Sequence, residues 1–335
     1  MRTTAELEER LARPTPGLVD DLGKLDGDIM ILGAGGKLGP SLVRLALNAT
    51  AGDRRIIAVS RFSEPGLAQA LQDEGATVVA ADVADEQALR ELPDAPNVVF
   101  LVGAKFGTSG RAHAAWFTNT YLPGRVAERF AGSRIAALST GNVYPLVPVT
   151  SGGSTEGSPT GPVGDYAMSC LGRERVLTYF AERNDTPVSL LRLNYAVELR
   201  YGVLVDLAQK VLAAEPIDLA TGQVNVVWQG YANEVALRSL LLADVPPYVL
   251  NVTGPELISV RQAALALGEA LGKEPVFTGE EAPTALLSNA SRCHRLFGYP
   301  ELTPAELIEH TARWVADGGP LLGKPTKFER RDGRF

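Results

Sequence analysis

The chain has few of the residues that build disulfide frameworks and metal clusters. Its 335 residues include two cysteines, Cys170 and Cys293, and three histidines that lie far apart in the sequence. Two cysteines at this separation predict neither a disulfide scaffold nor a zinc site, and they are typical of a reducing compartment. We therefore expect a cytoplasmic protein without a metal centre.

Long hydrophobic runs and an excess of basic charge are also missing. The chain contains no stretch of about 18 apolar residues that could span a membrane, and its first residues are polar and acidic where a signal peptide needs an apolar core. The formal net charge is −7, from 39 acidic and 32 basic residues. This charge offers no broad attraction to nucleic acid or to an anionic membrane, so neither is an expected partner.

The segment from Asp28 to Leu45 predicts a strand, a tight turn and a helix. Residues 29–32 are apolar, a cluster of glycines follows, and residues 41–47 have helical spacing. Glycines let a ligand approach the backbone, and a helix start offers N–H groups and a positive dipole end to an anion. We predict a pyrophosphate site at this turn, formed by Gly33, Gly35, Gly36, Lys37, Leu38 and Gly39.

The spacing of the glycines separates this turn from similar phosphate-binding motifs. Gly33, Gly36 and Gly39 read G-x-x-G-x-x-G, whereas the Rossmann pattern G-x-G-x-x-G would need a glycine at Leu38. A Walker A loop is excluded because no serine or threonine follows Lys37. A glycine-rich turn without any ligand is the alternative interpretation.

Strands alternate with helical stretches after this turn. Further apolar runs occupy residues 55–60, 77–81, 97–102 and 134–138, in units of about 20–35 residues. This alternation predicts a parallel sheet covered on both faces. The predicted fold class is α/β: a Rossmann-type doubly wound parallel sheet with a smaller mixed α/β substrate domain.

Arg61 follows the second predicted strand, where a dinucleotide fold contacts the adenosine ribose. An acid at this strand end accepts a hydrogen bond from the ribose 2′-hydroxyl, whereas an arginine accommodates a 2′-phosphate. The acid is missing here and Arg61 is present. We therefore expect NADP as the cofactor, with NAD as the alternative; a solvated loop charge is the other interpretation of Arg61.

Two later segments carry a family resemblance. Residues 139–144 (STGNVY) and 166–169 (YAMS) resemble the strand-end signature and the catalytic tyrosine motif of the extended short-chain dehydrogenases/reductases, the NAD(P)-dependent sugar epimerase/dehydratase family. The resemblance extends over about residues 28–314. It includes the glycine pattern, the pair Asp82 and Val83, Lys105 after the fourth strand, Asn119 in the next helix, and residues 191–194 (LRLN).

The resemblance implies specific roles. Tyr166 would be the acid/base for a proton on the reacting oxygen, and Thr140, with Ser139 as second choice, would hydrogen-bond the same oxygen while a hydride moves to or from the nicotinamide. Asp82, Val83, Lys105 and Asn119 would contact the cofactor. The family would also imply a homodimer through the helices that carry Asn119 and Tyr166.

The tyrosine motif departs from the family pattern Tyr-x-x-x-Lys at Cys170. A lysine four residues after Tyr166 would share its helix face and lower the pKa of the phenol, which a neutral thiol does not do. Three explanations stay open: another cation, with Lys105 the leading candidate; chemistry that needs a weaker base; or loss of catalysis. A small buried residue is the preferred interpretation of Cys170 itself.

The substrate side also departs from enzymes that clamp a nucleotide diphosphate. Val224 and Asn225 occupy one position where the family places an arginine, and Glu280 and Glu281 lie near the other. Two carboxylates would repel a diphosphate, so we expect a free or simply modified sugar, a sugar acid or a related polyol. Candidate pocket residues are Asn194, Trp228 and Gln229, with core tryptophan and strand-end amides as the alternative.

These observations predict an NAD(P)-dependent oxidoreductase or epimerase/dehydratase for a carbohydrate-like small molecule. The alternative is a dinucleotide-binding sensor or assembly protein without turnover. The predicted parts are an N-terminal extension (1–27), a Rossmann domain (28–197 and 229–253), a substrate domain (198–228 and 254–317) and a C-terminal tail (318–335).

Overall fold

The computed structural model describes residues 1–105 and 111–334. Its strands, in chain order, are β1 (Ile29–Leu32), β2 (Ile56–Ser60), β3 (Thr77–Ala80), β4 (Asn97–Phe100), β5 (Arg134–Thr140), β6 (Val147–Pro148), β7 (Val188–Leu193), β8 (Ala196–Val197), β9 (Ile217–Asp218), β10 (Gln223–Val224), β11 (Val227–Trp228), β12 (Tyr248–Val252), β13 (Ile258–Ser259), β14 (Phe277–Thr278) and β15 (Thr284–Ala285).

Helices connect and cover these strands. The α-helices are α1 (Thr4–Leu11), α2 (Pro16–Leu22), α3 (Gly39–Thr50), α4 (Leu67–Asp73), α5 (Glu86–Glu91), α6 (Ala112–Trp116), α7 (Leu122–Arg129), α8 (Gly164–Asn184), α9 (Val203–Ala213), α10 (Gln229–Arg238), α11 (Val260–Leu271), α12 (Ser291–Phe297) and α13 (Pro304–Ala316). A π-helical turn occupies Phe117–Tyr121, and 3-10 turns occupy Gly141–Val143 and Ser239–Leu242.

A seven-stranded parallel sheet forms the centre, in the order β12-β7-β5-β4-β1-β2-β3. Strand β1 shows why its sequence is continuously apolar. Ile29 and Ile31 pack in one core layer, Met30 and Leu32 pack in the other, and all four are fully buried. A strand buried on both faces needs apolar side chains at every position. The predicted α/β fold class is confirmed.

The N-terminal extension belongs to the core rather than lying free. Leu7 and Leu11 of α1 and Leu18 and Leu22 of α2 are buried in the layer that contains α3. The prolines of this region predict an end to helical structure, but Pro16 instead begins α2, because a helix's first turn does not need its N–H group. Thr15 caps α2 by accepting a hydrogen bond from the backbone N–H of Leu18 at 3.1 Å.

The helix expected to carry Asn119 is interrupted. The π-helical turn separates α6 from α7 and carries Asn119 on its buried side. Single π turns commonly occur at functional sites, because the extra residue changes the direction in which side chains project. Periodicity alone does not reveal this irregularity.

Four short strand pairs lie outside the central sheet: β6 with β15, β8 with β11, β9 with β14 and β10 with β13. Strand β12 joins the sheet edge next to β7. No helix among the described residues is long and apolar enough to cross a membrane.

Candidate functional site

The glycine turn joins the carboxyl end of β1 to α3. Gly33 has φ +95°, a conformation that residues with a side chain rarely adopt, and a Cβ on Gly39 would overlap the backbone of Ala34. The turn is thus closed by backbone packing, and it leaves the start of α3 open to a ligand. This arrangement fits the predicted pyrophosphate site.

Two cavities meet at this turn, along the carboxyl ends of the parallel strands. We call one the Arg61 cavity, after the residue at the end of β2, and the other the tyrosine cavity, after Tyr166, Tyr195 and Tyr201. Their volumes are about 290 and 360 Å³, and both are lined by Gly36, Leu101 and Gly103. An elongated ligand lying over the glycine turn could therefore enter both.

The Arg61 cavity holds the residues predicted for the adenosine end. It is lined by Ser60, Arg61, Ser63, Asp82 and Val83. The guanidinium of Arg61 is largely exposed and lies 3.8 Å from the carboxylate of Asp82. A ribose and its substituents would face both charges.

Tyr166 and Thr140 come together in the tyrosine cavity. Tyr166 lies in the first turn of α8, Thr140 ends β5, and their side chains form a hydrogen bond. The Thr140 hydroxyl also accepts hydrogen bonds from the backbone and side chain of Asn142, at 3.2 and 3.0 Å. Burial raises the pKa of Tyr166, so the phenol keeps its proton at neutral pH.

Ser139 takes part in a buried hydrogen-bond network. Its hydroxyl donates to the buried carboxylate of Glu174 at 2.6 Å, and Glu174 forms an ion pair with Arg192 at 2.7 Å. Arg192 in turn donates to the hydroxyl of Tyr144 at 2.7 Å. This network ties β5, β7 and α8 together, and Ser139 also lines the tyrosine cavity beside Thr140, so its second-choice catalytic role stays a prediction.

Cys170 lies one helical turn after Tyr166 and is buried against Val143 and Tyr144. Burial raises the pKa of its thiol. The thiol also lines the tyrosine cavity and shares a hydrogen bond with Tyr166. Because burial keeps it neutral, Cys170 has the character of a packing residue and not of a nucleophile.

Arg173 is the cation that the sequence reading missed. It lies one turn beyond Cys170 on α8, it is buried, and it lines the tyrosine cavity. Its guanidinium donates to the carbonyl of Val102 at 2.9 Å, to the carbonyl of Leu138, and to the side-chain oxygen of Asn119 at 3.1 Å. The sequence offers one signal for this cation: Arg173 lies three residues after Cys170, and residues i and i+3 share a helix face.

Lys105 and Lys37 bring two more positive charges to the cavity. The Lys105 ammonium lies 5.7 Å from the ring centroid of Tyr166 and 5.8 Å from that of Tyr195. Burial lowers the pKa of Lys105 to about 8. Burial, followed by the charge of Lys105, lowers the pKa of Lys37 to about 7.

Asn119 lies at the base of the same cavity. Its side chain accepts from the backbone N–H of Ala104 at 2.8 Å and donates to the Ala104 carbonyl at 2.9 Å. It also donates to the hydroxyl of Ser169 at 3.0 Å. Asn119 therefore fixes the backbone after β4 against α8, next to Lys105.

The three predicted substrate residues do not lie in one place. Asn194 lines the tyrosine cavity, but Trp228 and Gln229 are buried in the core and do not line it. Gln229 donates to the hydroxyl of Ser41 on α3 at 3.0 Å. The predicted pocket role of Trp228 and Gln229 is therefore corrected, and Tyr195 and Tyr201 are pocket residues that the sequence reading missed.

The C-terminal tail crosses the open side of the tyrosine cavity. Thr326 donates to the carboxylate of Asp206 on α9 at 2.6 Å, and Phe328 is fully buried. Arg331 donates to the carbonyl of Thr284 at 2.7 Å. Lys324 and Thr326 line the cavity itself, so the tail forms part of its wall.

One reason for excluding a nucleotide diphosphate is weaker in the structure than in the sequence. Glu281 forms an ion pair with Arg261 at 2.8 Å, so its charge is neutralised locally. In the part of the chain that is described, no group of three or more His, Cys, Asp and Glu residues is arranged to hold a metal ion.

Comparison with known proteins gives a consistent result. Residues 29–219 match the model of the NAD dependent epimerase/dehydratase family. No curated protein sequence matches the chain.

Solved structures share the fold at low sequence identity. Pal from Bacillus thuringiensis superposes with a TM-score of 0.72 at 15% identity, over 86% of this chain and 98% of that one. UDP-glucuronic acid 4-epimerase from Bacillus cereus, in complex with NAD, gives 0.71 at 17% identity, over 86% and 96%. A UDP-galactose 4-epimerase gives 0.68 at 20% identity, over 87% and 99%.

Proposed function

The chain belongs to the NAD dependent epimerase/dehydratase family, and from that premise we propose that it transfers a hydride between a nicotinamide cofactor and a small carbohydrate-like substrate. The observation that carries this proposal is the hydrogen-bonded pair of Thr140 and Tyr166 in a cavity that continues to the glycine turn. Such a pair can hold the oxygen on the reacting carbon.

The residues present fit a dinucleotide cofactor. The turn from Gly33 to Gly39 would hold the pyrophosphate, since its glycines leave the backbone accessible and α3 directs its positive end there. The cofactor supplies or accepts the hydride. Asp82 and Val83 would line the adenosine end, and Lys105 and Asn119 would border the nicotinamide end.

Tyr166 would act chiefly as an acid. Because burial keeps its phenol protonated at neutral pH, it would donate a proton to the substrate oxygen as a carbonyl becomes an alcohol. Thr140 would hold the same oxygen by a hydrogen bond. Ketone reduction is therefore the favoured direction.

Lys105 and Arg173 would replace the charge of the missing motif lysine. The charge of Arg173 lowers the pKa of Tyr166, which acts against the effect of burial. Arg173 donates hydrogen bonds to the carbonyls of Val102 and Leu138 and to the side chain of Asn119, so it would act as a positioning residue. Lys105 lies near the ring of Tyr166, so it would stabilise the negative charge that the phenol develops on losing its proton.

We propose NADP as the preferred form of the cofactor, with NAD as the alternative. Ser60 ends β2 where an acid would accept from the ribose 2′-hydroxyl, and Arg61 follows it in the same cavity. The guanidinium of Arg61 could pair with a 2′-phosphate. The nearby carboxylate of Asp82 opposes that phosphate, which makes the preference worth measuring.

The proposed substrate is a small molecule and not a nucleotide sugar. The UDP-glucuronic acid 4-epimerase of Bacillus cereus is solved with UDP-glucuronic acid, but here the tail closes the tyrosine cavity. Beyond Tyr195, where Phe328 and Arg331 pack, the free volume is about 30 Å³. Ligand pockets are usually about 300–1,000 Å³, so a nucleotide would have to displace the tail.

The proposed oligomer is a homodimer. Apolar side chains are exposed on neighbouring surfaces of α6, the π-helical turn and α8, and they include Trp116, Phe117, Tyr121, Met168 and Tyr179. Exposed apolar side chains grouped on adjacent helices are typical of protein interfaces. Analytical ultracentrifugation tests this directly: a dimer supports the proposal, and a monomer at micromolar concentration contradicts it.

The second candidate is a dinucleotide-binding protein without turnover. Cys170 favours it, because the family lysine is missing and burial raises the pKa of Tyr166. One experiment separates the two candidates: NADPH and NADH are titrated against the protein by nicotinamide fluorescence, and ketoses and sugar acids are then added. The enzyme oxidises the bound nicotinamide, whereas the binding protein retains it; no binding up to about 1 mM contradicts both.

A further inference from the structure

The tyrosine cavity is cationic in a protein whose net charge is −7. Four basic side chains line it, Lys37, Lys105, Arg173 and Lys324, and no aspartate or glutamate of the described residues does. A cavity lined by charges of one sign attracts ligands of the opposite sign. This charge pattern points to an anion inside the cavity.

Two of the four cations are explained by the site around Tyr166. Arg173 donates to the carbonyls of Val102 and Leu138 and to the side chain of Asn119. Lys105 lies beside the rings of Tyr166 and Tyr195. Arg173 and Lys105 thus act near the proposed reacting oxygen. The positions of Lys37 and Lys324 in the cavity still need an explanation.

Lys37 reaches across the cavity from the glycine turn to the other wall. Its ammonium lies 3.2 Å from the ring centroid of Tyr201, just before α9 begins. A desolvated ammonium is held there by the aromatic face, while its charge stays available to a ligand. The Lys37 ammonium is therefore held away from the backbone of the glycine turn.

Lys324 approaches the same region from the tail, close enough for its charge to lower the pKa of Lys37. Two carboxylates near Lys37 raise its pKa and partly offset this repulsion. Each also has another partner: Glu198 pairs with Arg200 at 3.1 Å, and Asp206 accepts from Thr326 at 2.6 Å. An anion bound between Lys37 and Lys324 would remove the repulsion that is left.

A cofactor pyrophosphate on the glycine turn does not account for this pair. Gly36 lines both cavities, as a pyrophosphate between them requires, whereas Lys324 lines the tyrosine cavity and not the Arg61 cavity. Lys324 belongs to the wall that would face the substrate. An acidic group of the substrate accounts for its position.

We propose that Lys37 and Lys324 bind an acidic group of the substrate, which makes the substrate a monosaccharide-sized carbohydrate bearing a carboxylate or a phosphate. This inference rests on the proposed function and names its substrate class. The nicotinamide would share the cavity of about 360 Å³, which leaves room for one such molecule. Its acidic group lies at the lysine pair and its reacting oxygen at Tyr166.

Calorimetric titration of the full-length protein saturated with NADP⁺ tests the proposal. The probes are glucuronate and galacturonate, glucose 6-phosphate, and the neutral sugars glucose and galactose. We expect at least one acid to bind about tenfold or more tighter than its neutral counterpart, with Lys324→Met removing roughly tenfold of that affinity. Binding of the hexuronates would identify the acidic group as a carboxylate, and binding of glucose 6-phosphate would identify it as a phosphate.

Lys273→Met is the control. Lys273 is exposed just after α11 and does not line the tyrosine cavity, so its loss should leave the affinity for the acids unchanged. The affinity for NADP⁺ should be the same in both variants. Equal losses in the two variants would show a general charge effect and overturn the proposal.

Three other results also overturn it: neutral sugars that bind as tightly as the acids, a Lys324→Met variant with unchanged affinity, or no binding of any acid below about 10 mM. Failure of the proposed function is seen separately, as absence of binding of both NADP⁺ and NAD⁺. In that case the titrations are repeated without cofactor. If an acid still binds with an affinity that depends on Lys324, the anion site stands although the proposed hydride transfer is rejected.

Discussion

The two cavities of the cleft differ in how their residues are supplied. The Arg61 cavity is formed mainly by residues at or just after the ends of strands β1 to β4, with Thr118 of the π-helical turn and Leu122 of α7 completing it. The tyrosine cavity combines the glycine turn, α8, the start of α9 and the tail. Local motifs therefore describe the first cavity well and the second only in part.

The comparison also separates a conserved task from an adapted one. Binding a dinucleotide requires close backbone approach, which the glycine turn supplies whatever the substrate. The chemistry beside Tyr166 depends on charge, and here the cation lies at Arg173 rather than at Cys170. The proposed cofactor site therefore uses a general device, whereas the charges beside Tyr166 depart from the Tyr-x-x-x-Lys pattern.

The largest expected effect is at the reacting end. Tyr166→Phe removes the proton donor, so kcat should fall about 10²- to 10⁴-fold, with little change in NADP⁺ affinity. Tyr299→Phe, at an exposed position between α12 and α13, is the control and should keep full activity. Equal activity of the wild type and Tyr166→Phe would contradict the assignment of the acid.

The next effect concerns the buried guanidinium. Arg173→Met leaves the carbonyls of Val102 and Leu138 without their donor, so the free energy of unfolding should fall by about 2–4 kcal/mol. Urea denaturation measures this loss. Arg175→Met, at an exposed position on α8, should change stability by less than about 0.5 kcal/mol. A variant as stable as the wild type would mean that Arg173 does not hold these strand ends.

A smaller effect is expected in the Arg61 cavity. Arg61→Ala should weaken NADPH binding by roughly tenfold and leave NADH binding unchanged, because only NADPH carries the 2′-phosphate. Arg55→Ala is the control, since Arg55 begins the same strand region and pairs with Asp28 at 2.6 Å, away from the cavity. A wild-type preference for NADH would remove the role proposed for Arg61.

The smallest predicted effect is a pH dependence confined to the tyrosine cavity. Lys37 and Lys105 have pKa values lowered to about 7 and about 8. They lose charge as the pH rises, so affinity for an acidic sugar should fall several-fold between about pH 6 and 9 while affinity for a neutral sugar stays constant. Parallel titrations at three pH values measure this, and a flat profile for the acid would contradict it.

The same lowered pKa values affect stability without ligand. The unfolded chain binds a proton at Lys37 up to its usual pKa of 10.5, whereas the folded protein releases it near 7. Folding stability from this group is therefore gained as the pH rises from about 7 toward 10.5, and it is absent at lower pH.

Much of the fold could be predicted from the sequence because it depends on local patterns. The apolar run of β1, the alternation of strands and helices and the Tyr166 motif are all continuous in the chain. The π-helical turn at Asn119 was not predictable, because it changes only the hydrogen-bond spacing within a helical pattern. Trp228 and Gln229 looked like pocket residues because a strand end adjoins them, but α3 covers that end.

The tail shows the limit most clearly. Its contacts join Thr326 to Asp206 and Arg331 to Thr284, residues that are far apart in the sequence. Composition shows a mixed-charge segment with two aromatic residues, but it does not show which surface accepts them. Only the folded chain brings Lys324 to the wall of the tyrosine cavity.

A crystal structure of the protein with NADP⁺ bound is the most direct test of the central claim. It should show the pyrophosphate on the turn from Gly33 to Gly39, the adenosine end in the Arg61 cavity and the nicotinamide in the tyrosine cavity, within contact distance of Tyr166. A cofactor bound elsewhere, or a nicotinamide ring separated from Tyr166 by other side chains, would contradict the account.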